Sequence, residues 1–392
     1  MEIVLLIAII CFVLVLFSVL LEIYIFKNAP FLESTKHEKA INTSLTIIIP
    51  TYNEENNIVN CLSAISKIKR PSTKFKIIVV DDCSNDKTIE KATNCKIKLF
   101  KNSETLEIIS AGNRPKDRNW VGKNWACWVA SLRTKSDWLL FIDADVVIGE
   151  KCVLNAISKA LKDNIDLLSL APKVNCNCLA EWMVQPIMTS LLMIGFPITN
   201  VNSKGNNTSF AAGPFMLFKR NSYLKIGGHE GTYDQIVEDL ALAKRIKASE
   251  LKLNFLIAIN DISLNMYRDI NSLIEGWSKN WFIGLEKSIF KSLSGSIFVL
   301  FTNTMPWFLL ISTVIIAIKY QTLRYTYLTI FSLLTLSIYA FKRYWLQNKY
   351  SFPMKYWYLN GLGGIVVFYI GLISIYKTIT GIGWTWKGRQ LY

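Results

Sequence analysis

Histidine is all but missing from this chain, which has only His37 and His229. Eight cysteines are present, at positions 11, 61, 83, 95, 127, 152, 176 and 178, with no paired Cys-x-x-Cys arrangement. A structural zinc site takes about four Cys or His ligands. Cys176 and Cys178, the closest pair, have no histidines to complete one. Free thiols in a reducing compartment are therefore expected. No internal repeat or low-complexity tract is evident. Charged residues make up only 19% of the chain, yet they leave a formal excess of +15. The basic residues are scattered and many flank apolar runs, which fits an anionic membrane surface better than a nucleic-acid groove.

What is abundant is apolar: 51% of 392 residues, for a mean hydropathy of +0.28. That balance suits one soluble domain joined to membrane spans. Residues 3–21 hold no charge, and the run continues to Phe26, long enough for a spanning helix of about 20 residues. A signal peptide is disfavoured, because Glu2 replaces a basic n-region and no small-residue cleavage site follows. Lys27, Lys36 and Lys39 put the far side of this anchor in the cytoplasm. Residues 296–317, 325–341 and 356–376 are further span candidates, the first carrying Pro306. The loop with Lys342, Arg343, Lys349 and Lys355 is basic, and so is the aromatic tail from Trp384 to Gln390. Both cannot be cytoplasmic if every candidate spans, so two to three C-terminal spans stay open.

Between these runs, apolar strands at 45–50, 76–82, 97–100, 138–142 and 215–219 alternate with helical stretches. The helices are expected at 54–66, from Asp86, at 123–132, 151–161, 233–249 and 271–288. Residues 181–198 read as an apolar helix, either buried or lying in a membrane interface. The alternation predicts an α/β fold with a mostly parallel sheet flanked by helices. The expected division is an anchor at 1–26, a catalytic domain at 42–290 and a membrane region with its tail at 296–392.

Ligands of such sheets bind beyond the carboxyl ends of the strands. Three acidic clusters fall there: Glu54-Glu55, Asp81-Asp82 and Asp143-Ala144-Asp145. Buried carboxylates are costly unless compensated. A divalent cation bridging to a substrate diphosphate would compensate them, whereas a plain solvated turn needs nothing. Asp82 can accept a base N–H, Tyr52 can stack on that base, and Asp143 and Asp145 can reach the ribose and a Mg²⁺ or Mn²⁺ ion. Lys123 opens a helix, and a helix N-terminus with a lysine suits a diphosphate. Glu238-Asp239 lies on an amphipathic helix. It is either a solvated pair or a cleft-edge general base for an acceptor hydroxyl. Trp277 and Trp281 line an acceptor channel or form an interfacial belt; Arg268 and Lys279 hold phosphate or face lipid headgroups. His229, after Gly227-Gly228, is best read as part of a turn.

Four motifs in order resemble family 2 glycosyltransferases of the GT-A fold. They are Ile49-Pro50-Thr51-Tyr52-Asn53-Glu54-Glu55, Val80-Asp81-Asp82-Cys83-Ser84-Asn85-Asp86-Lys87-Thr88, Asp143-Ala144-Asp145 and Glu238-Asp239. The resemblance implies that Pro50, Thr51, Tyr52, Glu54, Asp82, Lys123 and Asp143 bind the nucleotide sugar. It further implies that Asp143 and Asp145 hold a Mg²⁺ or Mn²⁺ cofactor and that Asp239, with Glu238, supplies the base. Cys83 stands where that family more often has glycine, a departure the turn is expected to tolerate. Trp120-Val121-Gly122-Lys123-Asn124-Trp125-Ala126, Phe210-Ala211-Ala212-Gly213-Pro214, Met266-Tyr267-Arg268 with Glu275-Gly276-Trp277-Ser278-Lys279, and Trp386-Lys387-Gly388-Arg389-Gln390 are similar to a membrane-bound subgroup. That subgroup comprises the diaponeurosporenoate (carotenoid) and hopene-associated glycosyltransferases. It implies a cytoplasm-facing, inverting enzyme that moves a sugar from a nucleotide-diphosphate donor to a lipid acceptor at the membrane, with no nucleic-acid partner. On that reading Gly213, Arg268, Trp277 and Lys279 lie on the acceptor and diphosphate side. Transfer to a polyprenyl phosphate is the alternative that Arg268 and Lys279 keep open. A processive polysaccharide synthase would need a Gln-x-x-Arg-Trp run, whose place Gly276-Trp277-Ser278-Lys279 takes. A catalytically silent membrane scaffold would have no use for Asp143, Asp145 and Asp239 together.

Overall fold

The computed structural model describes residues 2–35, 39–101, 103–321, 323–352, 354–381, 385–386 and 389–390. Lys36, His37 and the tail residues Trp384, Lys387 and Gly388 lie outside the described residues. The chain forms two compact units. One is built chiefly from Ala29–Asn175 and Ile198–Met266, the other from Met1–Asn28, Cys176–Pro197 and Tyr267–Trp386. Residues 176–197 and 267–290 thus group with the apolar helices.

The first unit is organised on a seven-stranded sheet. In chain order its strands are β1 (Ile41–Thr51), β2 (Ser72–Asp81), β3 (Leu106–Ser110), β4 (Trp138–Ile142), β6 (Leu167–Ala171), β8 (Phe215–Lys219) and β9 (Leu253–Ile257). A small second sheet holds β5 (Val146–Ile148), β7 (Lys173–Val174) and β10 (Ile262–Leu264). The order across the large sheet is β3-β2-β1-β4-β8-β6-β9, with β8 antiparallel to both neighbours and the other pairings parallel. The sheet is therefore mostly parallel, as the near-continuous apolar runs require: strands covered on both faces have no polar side to show. Leu45, Ile47, Ile48, Ile49 and Ile77–Val80 are fully buried.

Register brings the acidic turns to one edge. Thr51 pairs with Asp81 and Asp81 with Ser110, so the carboxyl ends of β1, β2 and β3 are level. Ile142 at the end of β4 pairs with Phe215 at the start of antiparallel β8. That pairing sets Gly213, just before β8, at the same edge as Asp143.

Three expected elements are corrected. Residues 97–100 are not a strand; they end the helix Thr88–Phe100. The carboxylate of Asp86 accepts the Thr88 N–H at the first turn of that helix, and the alternation of Ile97 and Leu99 leaves both side chains exposed. The third strand is Leu106–Ser110, an edge strand whose Glu107 pairs with Lys76 of β2. The helix expected at 233–249 starts only at Glu238 and runs to Ala248. Asn124 takes the carbonyls of Thr232 and Gln235, and the Val121 N–H takes that of Tyr233. These bonds hold residues 232–235 in turns ahead of the helix, where the Gln235 N–H closes on the Thr232 carbonyl. The helix expected at 271–288 is Ile270–Gly284, opened by a reciprocal Asp269–Ser272 capping box. Ser288 then caps the next helix, Ile289–Val299.

In the second unit, three helices among the described residues are long and apolar enough to cross a membrane: Glu2–Lys27, Ile289–Tyr320 and Trp357–Thr380. The C-terminal candidates are therefore two. The third expected stretch lies in Leu323–Tyr350, a helix that carries Lys342, Arg343 and Lys349 and does not qualify. Pro306 sits at the start of Met305–Tyr320, directly after a π-helical turn at Leu300–Thr304. In the first turn of a helix the N–H that proline lacks is not needed, so Pro306 is accommodated there. Residues 181–198 fall mostly in the helix Leu179–Gly195, which holds Pro186. Small residues on Asn360–Thr380 allow close helix approach: a Cβ on Gly363 would lie 2.2 Å from the Met183 carbonyl oxygen. Inside this unit Lys342 meets Glu22 at 3.0 Å, and Ser190 donates to the same carboxylate.

Candidate active site

The turns after β1 and β2 are stitched to each other. Thr51 Oγ1 donates to Asp81, and Asp81 in turn accepts the Ser84 N–H at 2.9 Å. Asn53 and Glu54 donate their N–H groups to Ser84 and Thr88, and Glu54 also accepts from the Asn57 amide. Pro50 is half-buried near the end of β1, and Tyr52 is half-buried just beyond it. Asn53 and Cys83 both take positive φ, +52° and +61°. Asparagine tolerates that conformation, and cysteine adopts it at a cost glycine would not bear.

Asp82 is buried, and its Oδ2 meets Arg114 Nη2 at 2.8 Å. Arg114 also donates to the Trp120 carbonyl. This pair rests directly on Gly122, where a Cβ would lie 2.1 Å from Asp82 Oδ2. Gly122 is thus fixed by lack of space. It opens the helix Gly122–Leu132.

One residue further on, Lys123 joins two distant acids. Its Nζ lies 2.6 Å from Asp143 Oδ1 and 2.7 Å from Glu238 Oε1. Burial opposes the Lys123 charge, but Asp143 and Glu238 outweigh it and hold the ammonium well above the ordinary lysine range. Asp239 stands beside them: its Oδ2 accepts the Gly213 N–H at 2.9 Å and its Oδ1 the Leu240 N–H at 2.7 Å. A Cβ on Gly213 would come within 3.1 Å of Asp239 Oδ2, 3.4 Å of Lys123 Nζ and 3.7 Å of Asp143 Oδ2. Three charged groups therefore converge over one glycine. Burial, then the neighbouring Glu238 charge, push Asp239 up to about 6 against the pull of Lys123. A carboxylate poised there is suited to accept a proton near neutral pH.

Asp143 and Asp145 flank the tight turn that carries the chain from β4 into β5, closed by the Val146 N–H on the Asp143 carbonyl. Burial, then the charges of Asp145, Glu54 and Asp143, drive the Cys61 thiol far upward, so these acids share one neighbourhood. Their oxygens are hard donors with no imidazole or thiolate beside them, the chemistry of Mg²⁺ or Mn²⁺. Among the described residues no group of three or more His, Cys, Asp or Glu could hold an ion alone. Two carboxylates completed by substrate phosphates is a normal Mg²⁺ arrangement, so the donor set fits such an ion.

Arg114, which sequence reasoning passed over, proves structural to the site, as do Asn124 and Trp125, which it named only within a motif, and His229, which it read as part of a turn. Arg114 lies in a charged loop without periodicity, and nothing there marks it as the partner of Asp82. Asn124 is fully buried and holds the chain just ahead of Glu238 through the Thr232 carbonyl at 2.6 Å and the Gln235 carbonyl at 2.9 Å. Trp125 donates to the Ala111 carbonyl and packs edge-on against Trp120 at 5.1 Å. His229 is embedded, its Nδ1 on the Tyr223 hydroxyl at 2.8 Å. Burial, aided by the Lys123 charge, lowers it to about 3 and keeps it neutral.

Arg268, Trp277 and Lys279 belong to the second unit. Arg268 is exposed and Lys279 half-buried. Trp277 is buried there, its indole N–H on Gln185 at 2.9 Å.

A mostly parallel α/β sheet with carboxylates and a lysine gathered at its carboxyl edge has the architecture of the GT-A fold. Residues 46–227 match the family model of glycosyl transferase family 2. The 4,4'-diaponeurosporenoate glycosyltransferase of Staphylococcus haemolyticus is 29% identical over 266 residues, covering 67% of this chain and 68% of that protein. Its Staphylococcus aureus (strain MRSA252) counterpart is 26% identical over 240 residues, 60% of each chain. Among solved structures, a mannosyltransferase from Pyrobaculum calidifontis in complex with GDP-Man and Mn²⁺ superposes with a TM-score of 0.54 at 14% identity. That fold likeness covers 97% of this chain and 100% of the other. Residues 46–227 thus resemble family 2 glycosyltransferases, and the chain is similar to the carotenoid-associated members of that family.

Proposed function

We propose that this glycosyltransferase is anchored in the membrane and transfers a sugar, with inversion, from a nucleotide-diphosphate sugar to a lipid. The acceptor is an isoprenoid carrying a hydroxyl or carboxyl, such as a carotenoid or hopanoid. The observation that carries this reading is Asp239, held by the Gly213 and Leu240 N–H groups beside the Lys123–Asp143 pair. The names of the staphylococcal relatives support the acceptor class.

In this mechanism Asp82 contacts the base, while Pro50, Thr51, Tyr52 and Glu54 shape the nucleoside pocket. Asp143 and Asp145 would hold Mg²⁺ or Mn²⁺, which when bound supplies positive charge to the departing diphosphate. Lys123 contacts that diphosphate from the helix N-terminus. Asp239 takes the acceptor proton as the acceptor oxygen attacks C1. The C1–oxygen bond to the diphosphate breaks with its electron pair staying on the diphosphate, and attack from the opposite face inverts C1. The transition state has oxocarbenium character. Glu238 positions Lys123, and Gly213 serves the diphosphate side. Residues 1–26 and 296–392 anchor a catalytic domain at 42–290, which faces the cytoplasm because Lys27 and Lys39 follow the first span.

The test is label transfer by membranes carrying the chain, given Mg²⁺ or Mn²⁺, radiolabelled nucleotide sugars and lipid extract. Label in an isoprenoid alcohol or acid supports the proposal. Label in polyprenyl phosphate replaces the acceptor class, and absence of transfer from folded protein with every donor overturns it.

A further inference from the structure

Lys123 occupies a position of conflict. It is clamped between Asp143 and Glu238, at 2.6 and 2.7 Å, while Asp143 is one of the two carboxylates suited to a divalent cation. An ammonium on Asp143 and a doubly charged ion on the Asp143-Ala144-Asp145 turn repel one another across a few ångströms. A diphosphate removes the conflict, because it accepts the lysine and completes the ion's coordination. We propose that Lys123 is a stand-in cation. It satisfies the acidic cluster while the donor is absent, keeps the bare ion out, and is handed to the donor diphosphate as ion and nucleotide bind together. Lys123 is in this sense a positioning residue that makes ion and donor binding mutually dependent, and by linkage each tightens the other by the same factor.

The geometry supports a lysine able to move between these partners. Its side chain is 31% exposed and Asp143 27% exposed, against 7% for Glu238. Gly213 leaves room there: a Cβ at that position would lie 3.4 Å from Lys123 Nζ. The clamp therefore faces the open side of the site at Asp143 and its buried wall at Glu238.

This inference rests on the proposed glycosyltransferase reading. The experiment is Mn²⁺ binding by the purified full chain, followed by electron paramagnetic resonance, without nucleotide and with UDP or GDP. In Lys123→Met, Mn²⁺ alone should bind at least tenfold tighter than in wild type, while nucleoside diphosphate at saturating Mn²⁺ binds at least tenfold weaker. Lys123→Arg, which keeps the charge, should retain weak Mn²⁺-only binding, and Asp143→Asn should remove it in every background. Thermal melting confirms that each variant is folded. Unchanged or weaker Mn²⁺-only binding by Lys123→Met, with ternary binding by wild type intact, overturns the stand-in role and leaves the enzyme reading standing. Mn²⁺-only binding by Lys123→Arg as tight as expected for the methionine variant overturns it also. Failure of wild type to bind Mn²⁺ with any nucleoside diphosphate removes the enzyme reading and this inference with it.

Discussion

Asp239→Asn should separate catalysis from stability. In the folded chain burial and the Glu238 charge raise the Asp239 carboxyl from 3.8 to about 6. At about 1.4 kcal/mol per pH unit, ionising Asp239 costs the fold at most about 3 kcal/mol. The sign follows from linkage. Because the folded value lies above the unfolded one, this group's stabilising contribution is complete below pH 3.8 and is lost as pH rises through 6. Asparagine is close to an isostere of the protonated acid and still offers an oxygen to the Gly213 or Leu240 N–H. The variant should therefore match wild type in stability at pH 4 and exceed it by about 1–3 kcal/mol at pH 8. Its turnover should fall by a factor of about 10²–10⁴, the usual worth of a general base. Wild-type kcat/KM should rise with pH through about 6 as the base ionises. Thermal melting at the two pH values and a pH–rate profile check both halves. A variant less stable than wild type at pH 8, or one retaining more than about a tenth of the activity, would refute the assignment.

Further outcomes follow from the same site. Arg114→Ala removes the ion pair from the buried Asp82 carboxylate and should cost about 1–3 kcal/mol, read by thermal unfolding, with weaker nucleotide binding. Gly122→Ala sets a Cβ against Asp82 Oδ2 and should lower nucleotide affinity at least about tenfold, measured by calorimetry. Asn124→Ala frees the chain before Glu238 and should cost about 2 kcal/mol while lowering kcat more than it raises KM. Cys83→Gly relieves a positive φ and should stabilise by about 0.5–1 kcal/mol in the same melting assay. Chelation with EDTA should abolish transfer, and added Mg²⁺ or Mn²⁺ should restore it.

The sheet was legible because its central strands are buried on both faces, so Ile47–Ile49, Ile77–Val80 and Trp138–Ile142 read as unbroken apolar runs. The edge strand Leu106–Ser110 was not. Its Glu107 interrupts the run, while the helical Ile97 and Leu99 imitate a strand over four residues. Period alone cannot separate such short segments. The delayed start of Glu238–Ala248 was equally invisible, since it depends on Asn124 capturing carbonyls remote in sequence. Within the site, the acids were legible from their places after strands. Their partners were not: Arg114 sits in an aperiodic loop, and the Asp143–Lys123–Glu238 clamp joins three segments that only the register of β4 with β8 and the packing of the helix ends bring together.

The most direct measurement is transfer of radiolabelled sugar by membranes carrying wild type or Asp239→Asn, given Mg²⁺ or Mn²⁺, a panel of nucleotide sugars and an isoprenoid lipid extract. Label entering an isoprenoid lipid with wild type, and not with the variant, is the predicted result. Folded wild-type protein that neither transfers nor hydrolyses any donor, or equal transfer by the variant, would contradict it.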